Sequence, residues 1–451
     1  MAEIPKKTAI KDKKEKKSEH KIIDEKKNVE KQKIEDIQES NLLNPISWDN
    51  VKFSFPQPKI RFGKGVVDEI PKAILKLLDP MLMHLNKVQI ENPVIMFVIG
   101  HESLRNSNKM QRIQIICKQN AFDTFVFSIG TGEANVKTVD EGVQLALEKK
   151  PHFVVGIGGG SVLDTAKAIA GIARNGGLAE DYFDGKPFES PGIPFIAVPT
   201  TAGTGSEITN NAVLIDSIRG FKRSIRGDKI ISKYILLDPE LSLNCPPEIT
   251  ASSGTDALVH AVESYISKNS HPLADLYALQ AISLIAPNLR KVFENGQDLA
   301  ARSEMLLGSF FAGVAFSNVG LGIVHGLAHP IGYKYGIHHG KICGVLLPWV
   351  IEYNAEYRAD KYAFLAKKFD KMLDLFNKYE PEASDLENTH RFAAMIKEIL
   401  SQVQIPLRLR ELGVKKEDFD WIISNAKGGS VNANPRSVDP DSLKKLLETA
   451  W

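Results

Sequence analysis

Five short apolar runs rich in β-branched and aromatic residues recur along the first half of the chain, at 94–99, 124–129, 153–157, 195–198 and 235–237. They read as buried strands, and helical patterns fill the intervals between them, an alternation that predicts a parallel sheet with helices packed on it. Beyond Pro246-Pro247 the texture changes. Residues 256–266, 273–285 and 301–315 carry apolar positions at helical spacing with little β-branched enrichment. The pattern therefore predicts an α/β, Rossmann-like N-terminal domain with a parallel sheet, followed by an all-helical C-terminal domain. The boundary falls at 241–247, which divides the chain into a charged extension at 1–48, a dinucleotide-binding α/β domain at 49–243 and a helical domain at 244–451. A catalytic cleft is expected between the two larger parts.

Length and composition agree with two domains: 451 residues, 43% hydrophobic and 25% charged, exceed what one simple core accommodates. A net charge of +2 argues against nucleic acid as the main partner. Cys117, Cys245 and Cys343 stand far apart with no CxxC pair, which disfavours a disulfide framework and a thiolate zinc site and suits a reducing, cytoplasmic compartment. No uninterrupted apolar run approaches the roughly 20 residues of a membrane helix, and the N-terminus lacks the apolar core of a signal peptide. No membrane partner is expected. The first 40 residues are dominated by Lys and Glu, contain no Arg and no aromatic residue, and read as a solvated, disordered tail.

Two loops carry candidate phosphate chemistry. Gly158-Gly159-Gly160-Ser161 follows one predicted strand and opens a helix through Asp164. There, glycines let backbone approach an anion that the helix N-terminus stabilises. The run departs from GxGxxG at its sixth position, Ser161, and lacks the Gly-Lys-Ser/Thr of a Walker loop. Taken alone it fits a tight strand-to-helix turn equally well. A second loop at 199–207, containing Thr200, Thr201, Thr204 and Ser206, follows the next strand, and two such cradles on one sheet suit a dinucleotide. In the helical half, Asp256 and His260 stand at i and i+4 on one face. His325, His329, His338 and His339 crowd an apolar, glycine-rich stretch. Imidazoles clustered near a carboxylate make a nitrogen/oxygen site for iron, zinc or another borderline ion.

These motifs resemble those of the iron-containing alcohol dehydrogenases, relatives of glycerol dehydrogenase and dehydroquinate synthase. The resemblance runs from Ile60-Arg61-Phe62-Gly63 to Asn434-Pro435-Arg436, leaving only the extension outside. It implies Asp256, His260, His325 and His339 as metal ligands and His329 as a non-ligand histidine beside nicotinamide and substrate. It also implies contacts to the dinucleotide from Gly158, Gly159, Gly160, Ser161 and Asp164, from Thr200, Thr201, Thr204 and Ser206, and from Asn135 and Lys222. The cofactor it implies is NAD or NADP, with Fe²⁺ or Zn²⁺ at the metal. NAD-using relatives often carry an Asp after the second strand, where this chain has His101 and Glu102, so the choice between NAD and NADP stays open. The implied reaction is hydride transfer between a small primary alcohol or diol and NAD(P), by a homo-oligomer. Alternatives are a hydroxyacid-oxoacid transhydrogenase, a lyase of the dehydroquinate synthase type and a dehydrogenase-like docking subunit.

Overall fold

A computed structural model describes residues 58–84, 92–100, 107–373 and 378–451. The extension at 1–48 and the His101/Glu102 pair lie outside the described residues. In the N-terminal region the elements are β1 (Lys59–Phe62), α1 (Ile70–His84), β2 (Val94–Ile99), α2 (Asn108–Gln119), β3 (Asp123–Ser128), α3 (Val136–Lys149), β4 (Phe153–Gly158), α4 (Gly160–Asn175), α5 (Ala179–Phe183), β5 (Phe195–Pro199), β6 (Asn211–Asp216), β7 (Phe221–Arg226) and β8 (Tyr234–Leu237). Six strands form one parallel sheet in the order β1-β8-β5-β4-β2-β3. All five predicted strands are in it.

Successive side chains of a strand point to opposite faces, and both faces here are apolar. Met96, Val98, Val154 and Ala197 join one core with α3 and α4, while Ile95, Phe97, Phe153 and Val155 join a second with α1 and α2. That two-sided burial is why the runs are continuously apolar. In β1, KIRF alternates charged and apolar side chains at the sheet edge, and three of its four residues are exposed. The antiparallel hairpin β6/β7 carries a mixed pattern for the same reason, because only one face of it is covered.

The C-terminal region is helical: α6 (Pro247–Ile266), α7 (Pro272–Glu294), α8 (Leu299–Val319), α9 (Ile323–Tyr335), α10 (His339–Asn354), α11 (Ala359–Leu373), α12 (Asp385–Gln402), α13 (Phe419–Asn425), α14 (Gly429–Ala433) and α15 (Pro440–Ala450). Helix α6 begins with a proline in its first turn, where no amide partner is lost. It lies at the centre, packed by α7, α8 and α10, and is buried almost all round. Helix α8 is long and apolar enough, by length and composition, to cross a membrane. Its apolar surface packs instead on α6 and α7.

Candidate metal centre and dinucleotide cleft

Strands β4 and β5 are neighbours in register, Gly158 opposite Pro199, so the two loops that follow them leave the sheet side by side at its carboxyl edge. Helix α4 starts at Gly160 with Gly159 at its N-cap and no side-chain cap, leaving amides of its first turn for a ligand. The loops interlock: a Cβ on Gly160 would stand 2.5 Å from Thr204 Cγ2, and one on Gly159 3.2 Å from Thr201 Oγ1. A cleft of about 1040 Å³ opens above them, lined among others by Asn135, Gly159, Gly160, Ser161, Thr201 and Thr204. Gly158 and Thr200 are not among its lining residues and are joined by a 3.0 Å bond from the Thr200 amide to the Gly158 carbonyl.

Two other sequence candidates on this side are occupied internally. Asp164 accepts from Ser206 Oγ at 2.5 Å and from the Val213 amide at 3.0 Å. Beside them Lys167, fully buried, donates to the carbonyls of Ser206, Thr209 and Asn211 at 2.6, 3.0 and 2.7 Å. Burial pushes its pKa down to about 8. These bonds pin the loop at 206–211. Asn135 caps α3, its side-chain oxygen accepting from the Thr138 amide at 2.9 Å, and also faces the cleft. Lys222 is no ordinary surface lysine: its side chain is 9% exposed and pairs with Glu133 at 2.6 Å.

On the helical side, α6 presents Asp256, His260 and Glu263 in three successive turns of one face, all buried. Helix α9 contributes His325, and α10 begins at His339. Gly340 allows α10 to approach, because a Cβ there would collide with the Ser252 carbonyl of α6. The result is convergence on one carboxylate. His325 Nε2 and His339 Nε2 lie 3.5 and 3.8 Å from Asp256 Oδ1, and His260 Nε2 lies 4.0 Å from Oδ2. The His260 and His325 rings stack at 4.5 Å. His329 stacks on His339 at 5.1 Å, and His338 is exposed at the α10 N-cap.

Two of these rings are anchored through their far nitrogens. Nδ1 of His325 donates to Glu263 Oε2 at 2.6 Å, and Nδ1 of His260 faces the Gly203 carbonyl at 3.3 Å. In that tautomer Nε2 is the unprotonated nitrogen of each ring, within 4.0 Å of an Asp256 carboxylate oxygen. Asp256 Oδ1 is buried with no hydrogen-bond partner among the described residues, which is costly unless a cation balances it. Burial alone would raise the Asp256 pKa, yet His260, His339 and His325 hold it below the usual carboxylate range. Burial drives the His260 pKa down to about 4 and, helped by Lys222, that of His329 to about 3. The donor set, its tautomers and the stranded carboxylate oxygen fit a divalent metal ion.

A second cavity, of about 380 Å³, contains this cluster. It shares Glu133, Gly160, Ser161, Thr204, Asp256 and His339 with the larger cleft. The carboxylate thus stands where a dinucleotide compartment meets a smaller pocket.

Comparison with known proteins decides the family. Residues 57–239 match the profile described as iron-containing alcohol dehydrogenase, and 250–451 match the Fe-containing alcohol dehydrogenase family, C-terminal. This chain belongs to the iron-containing alcohol dehydrogenase family. The dehydrogenase is 34% identical over 354 residues to the NAD-dependent methanol dehydrogenase of Bacillus methanolicus, covering 78% of this chain and 91% of that protein. It superposes on 1,3-propanediol oxidoreductase with a TM-score of 0.80 at 31% identity, covering 89% of this chain and all of that one. It also matches sulfoacetaldehyde reductase of Bifidobacterium kashiwanohense, solved with NAD⁺, with a TM-score of 0.75 at 27% identity over 90% and 99% of the two chains.

The structure of this dehydrogenase adds two residues that the sequence did not single out. Glu263 orients His325, and its signal was its position seven residues after Asp256, two turns along the same helical face. Cys343 packs into the cluster, with Sγ 3.5 Å from His339 Nε2 and 3.8 Å from His325 Nε2. The absence of a CxxC pair pointed away from sulfur in the cluster, but one cysteine four residues after His339 on the same helical face suffices to bring a thiol there.

Proposed function

We propose that this alcohol dehydrogenase interconverts small primary alcohols or diols and their aldehydes, using NAD or NADP and a divalent ion, Fe²⁺ by family habit with Zn²⁺ as the competitor. The observation that carries the reading is the convergence of three imidazole Nε2 atoms on the Asp256 carboxylate at the junction of the two compartments. In this reading Asp256, His260, His325 and His339 hold the ion, and Glu263 fixes the tautomer and angle of His325. When bound, the ion supplies Lewis-acid polarisation of the substrate oxygen and the dinucleotide supplies or accepts hydride.

The chain's own residues bind and orient the reactants. Gly159, Gly160 and Ser161 offer backbone amides to the pyrophosphate. Thr201 and Thr204 wall the nucleotide, with Asn135 flanking it. His329, kept neutral by burial, lines the smaller cavity beside His339, where it hydrogen-bonds the substrate hydroxyl and relays its proton onward. Gly158, Asp164, Thr200 and Ser206 act by shaping the loops, and Lys222 steadies the boundary between the compartments. We place the domain boundary at 243/244, the enzyme in the cytoplasm, and its working form as a homo-oligomer.

A second reading of the substrate has its own support. Arg226 places a cationic side chain on the wall of the smaller cavity, beside a Lys222 already paired with Glu133, which suits an anionic substituent such as the carboxylate of a hydroxy acid. The transhydrogenase alternative uses such substrates. A panel of short alcohols, diols, aldehydes and hydroxy acids, assayed with both cofactors on metal-loaded protein, separates the readings. Net NADH or NADPH formation from simple alcohols supports the first. Turnover only when a hydroxy acid and an oxoacid are supplied together contradicts it.

A further inference from the structure

Besides its histidines, the smaller cavity is walled by five ionisable side chains: Glu133, Asp164, Asp256, Lys222 and Arg226. Four are already committed. Glu133 pairs with Lys222 at 2.6 Å, Asp164 accepts from Ser206 and the Val213 amide, and Asp256 stands at the centre of the imidazole cluster. Arg226 has no ion pair and no side-chain hydrogen bond among the described residues. Although it reaches solvent at the end of β7, burial lowers its pKa, and no carboxylate counters the effect. Its position follows from the hairpin. Alternate residues of a strand point to opposite faces, so Ile225 enters the core behind β7 while Lys222, Ser224 and Arg226 face the cavity. Asn211, opposite Arg226 in the register, and Val213, opposite Ser224, continue that wall from β6. Ser317, Asn318 and Ser430 add polar lining from the helical half. The Arg226 charge is felt at the reacting end as well: after burial, Lys222 and Arg226 are among the groups that lower the His329 pKa.

We propose that Arg226 determines specificity by binding an anionic group at the end of the substrate remote from the reacting carbon, so that the preferred substrates are small alcohols or aldehydes carrying a carboxylate or a sulfonate. The proposal rests on the dehydrogenase reading above and deepens it, with no oxoacid needed as a second substrate. The alcohol gives hydride to the dinucleotide and its hydroxyl proton to solvent, and the anion is unchanged. A guanidinium offers two parallel N–H donors that match the paired oxygens of either anion, and a partly enclosed wall strengthens the charge pair relative to water.

The test compares each anion with its neutral, isosteric amide, which holds chain length constant. Metal-loaded, full-length protein is assayed for NADH or NADPH formation with 3-hydroxypropanoate, 4-hydroxybutanoate and 2-hydroxyethanesulfonate, each beside its amide, and with 1,3-propanediol as the simple diol. At least one anion should exceed its amide in kcat/KM by about tenfold to hundredfold, the worth of a hydrogen bond to a charged group; the carboxylate and sulfonate arms show which anion it is. In Arg226→Gln that ratio should fall at least about tenfold, chiefly through KM for the anion, with bound metal at the unaltered level, and Arg226→Lys should restore part of it. Amides used as well as their acids by the unaltered protein overturn the proposal and leave the dehydrogenase reading standing. An anion preference that survives in Arg226→Gln overturns the assignment to this residue. No NADH or NADPH formation from any of these alcohols overturns both. The unaltered protein's ratios decide the substrate class even if the variants fail to fold.

Discussion

The two halves of the molecule build their parts of the site from different material. At the sheet edge the cradle is backbone: glycines, uncapped helix amides and two loops locked so closely that Gly160 has no room for a Cβ beside Thr204. In the helical half the nest is side chain: a carboxylate and imidazoles on three helices, brought together because Gly340 lets α10 touch α6. The contrast teaches what each half tolerates. The nest fails when a side chain is removed, whereas the cradle fails when one is added.

The largest expected effect is therefore a deletion in the helical half. Asp256→Ala should abolish metal retention, and losing about 4 kcal/mol of charge stabilisation corresponds to roughly 10³-fold in turnover. Metal analysis and steady-state kinetics on the same preparation check it. Glu263→Gln keeps the shape and removes the charge that orients His325. Metal affinity should fall about 10- to 100-fold, with the helical circular dichroism unchanged. If affinity is unaltered, Glu263 serves packing alone.

On the sheet side the opposite manipulation is the damaging one. Gly160→Ala should raise the KM for the dinucleotide by roughly 10-fold or more, since misplacing a bound reactant by a fraction of an ångström is costly, while bound metal stays at the unaltered level. Ser161→Ala removes a side chain from the same loop and should change that KM by no more than about 10-fold, the worth of one neutral hydrogen bond. Should Ser161→Ala prove worse than Gly160→Ala, the division between backbone cradle and side-chain nest is wrong.

Legibility in the sequence follows the same division. Four of the five predicted strands were readable because burial on both faces leaves uninterrupted apolar runs, while β3, a half-buried strand at the opposite edge from β1, was readable because its run is aromatic and β-branched; the glycines of 158–160 announced a tight turn, and only the second loop beside it pointed to an anion. Strand β1 and the hairpin β6/β7 were not readable, since an edge strand and a ribbon covered on one side mix charge with apolar residues as a loop does. Asp256, His260 and the later histidines stood out because ionisable groups are rare in apolar helical stretches. Glu263 and Cys343 stood out less. A glutamate on a helix usually faces water, and a lone cysteine usually packs as a small apolar residue, so only contact with His325 and His339 reveals them. Asp164 and Ser206 show the converse: their types suit a cofactor site, and the fold engages them with each other.

The central claim is that one divalent ion, held jointly by Asp256 and its surrounding histidines beside the dinucleotide cleft, is required for hydride transfer. Its most direct test is NADH or NADPH formation from a short-chain alcohol by the full chain, before chelation, after chelation and after anaerobic return of Fe²⁺ or Zn²⁺, with bound metal measured at each stage. The account predicts that activity falls with the metal and returns with it, at one ion per chain. Undiminished turnover by metal-free protein contradicts it.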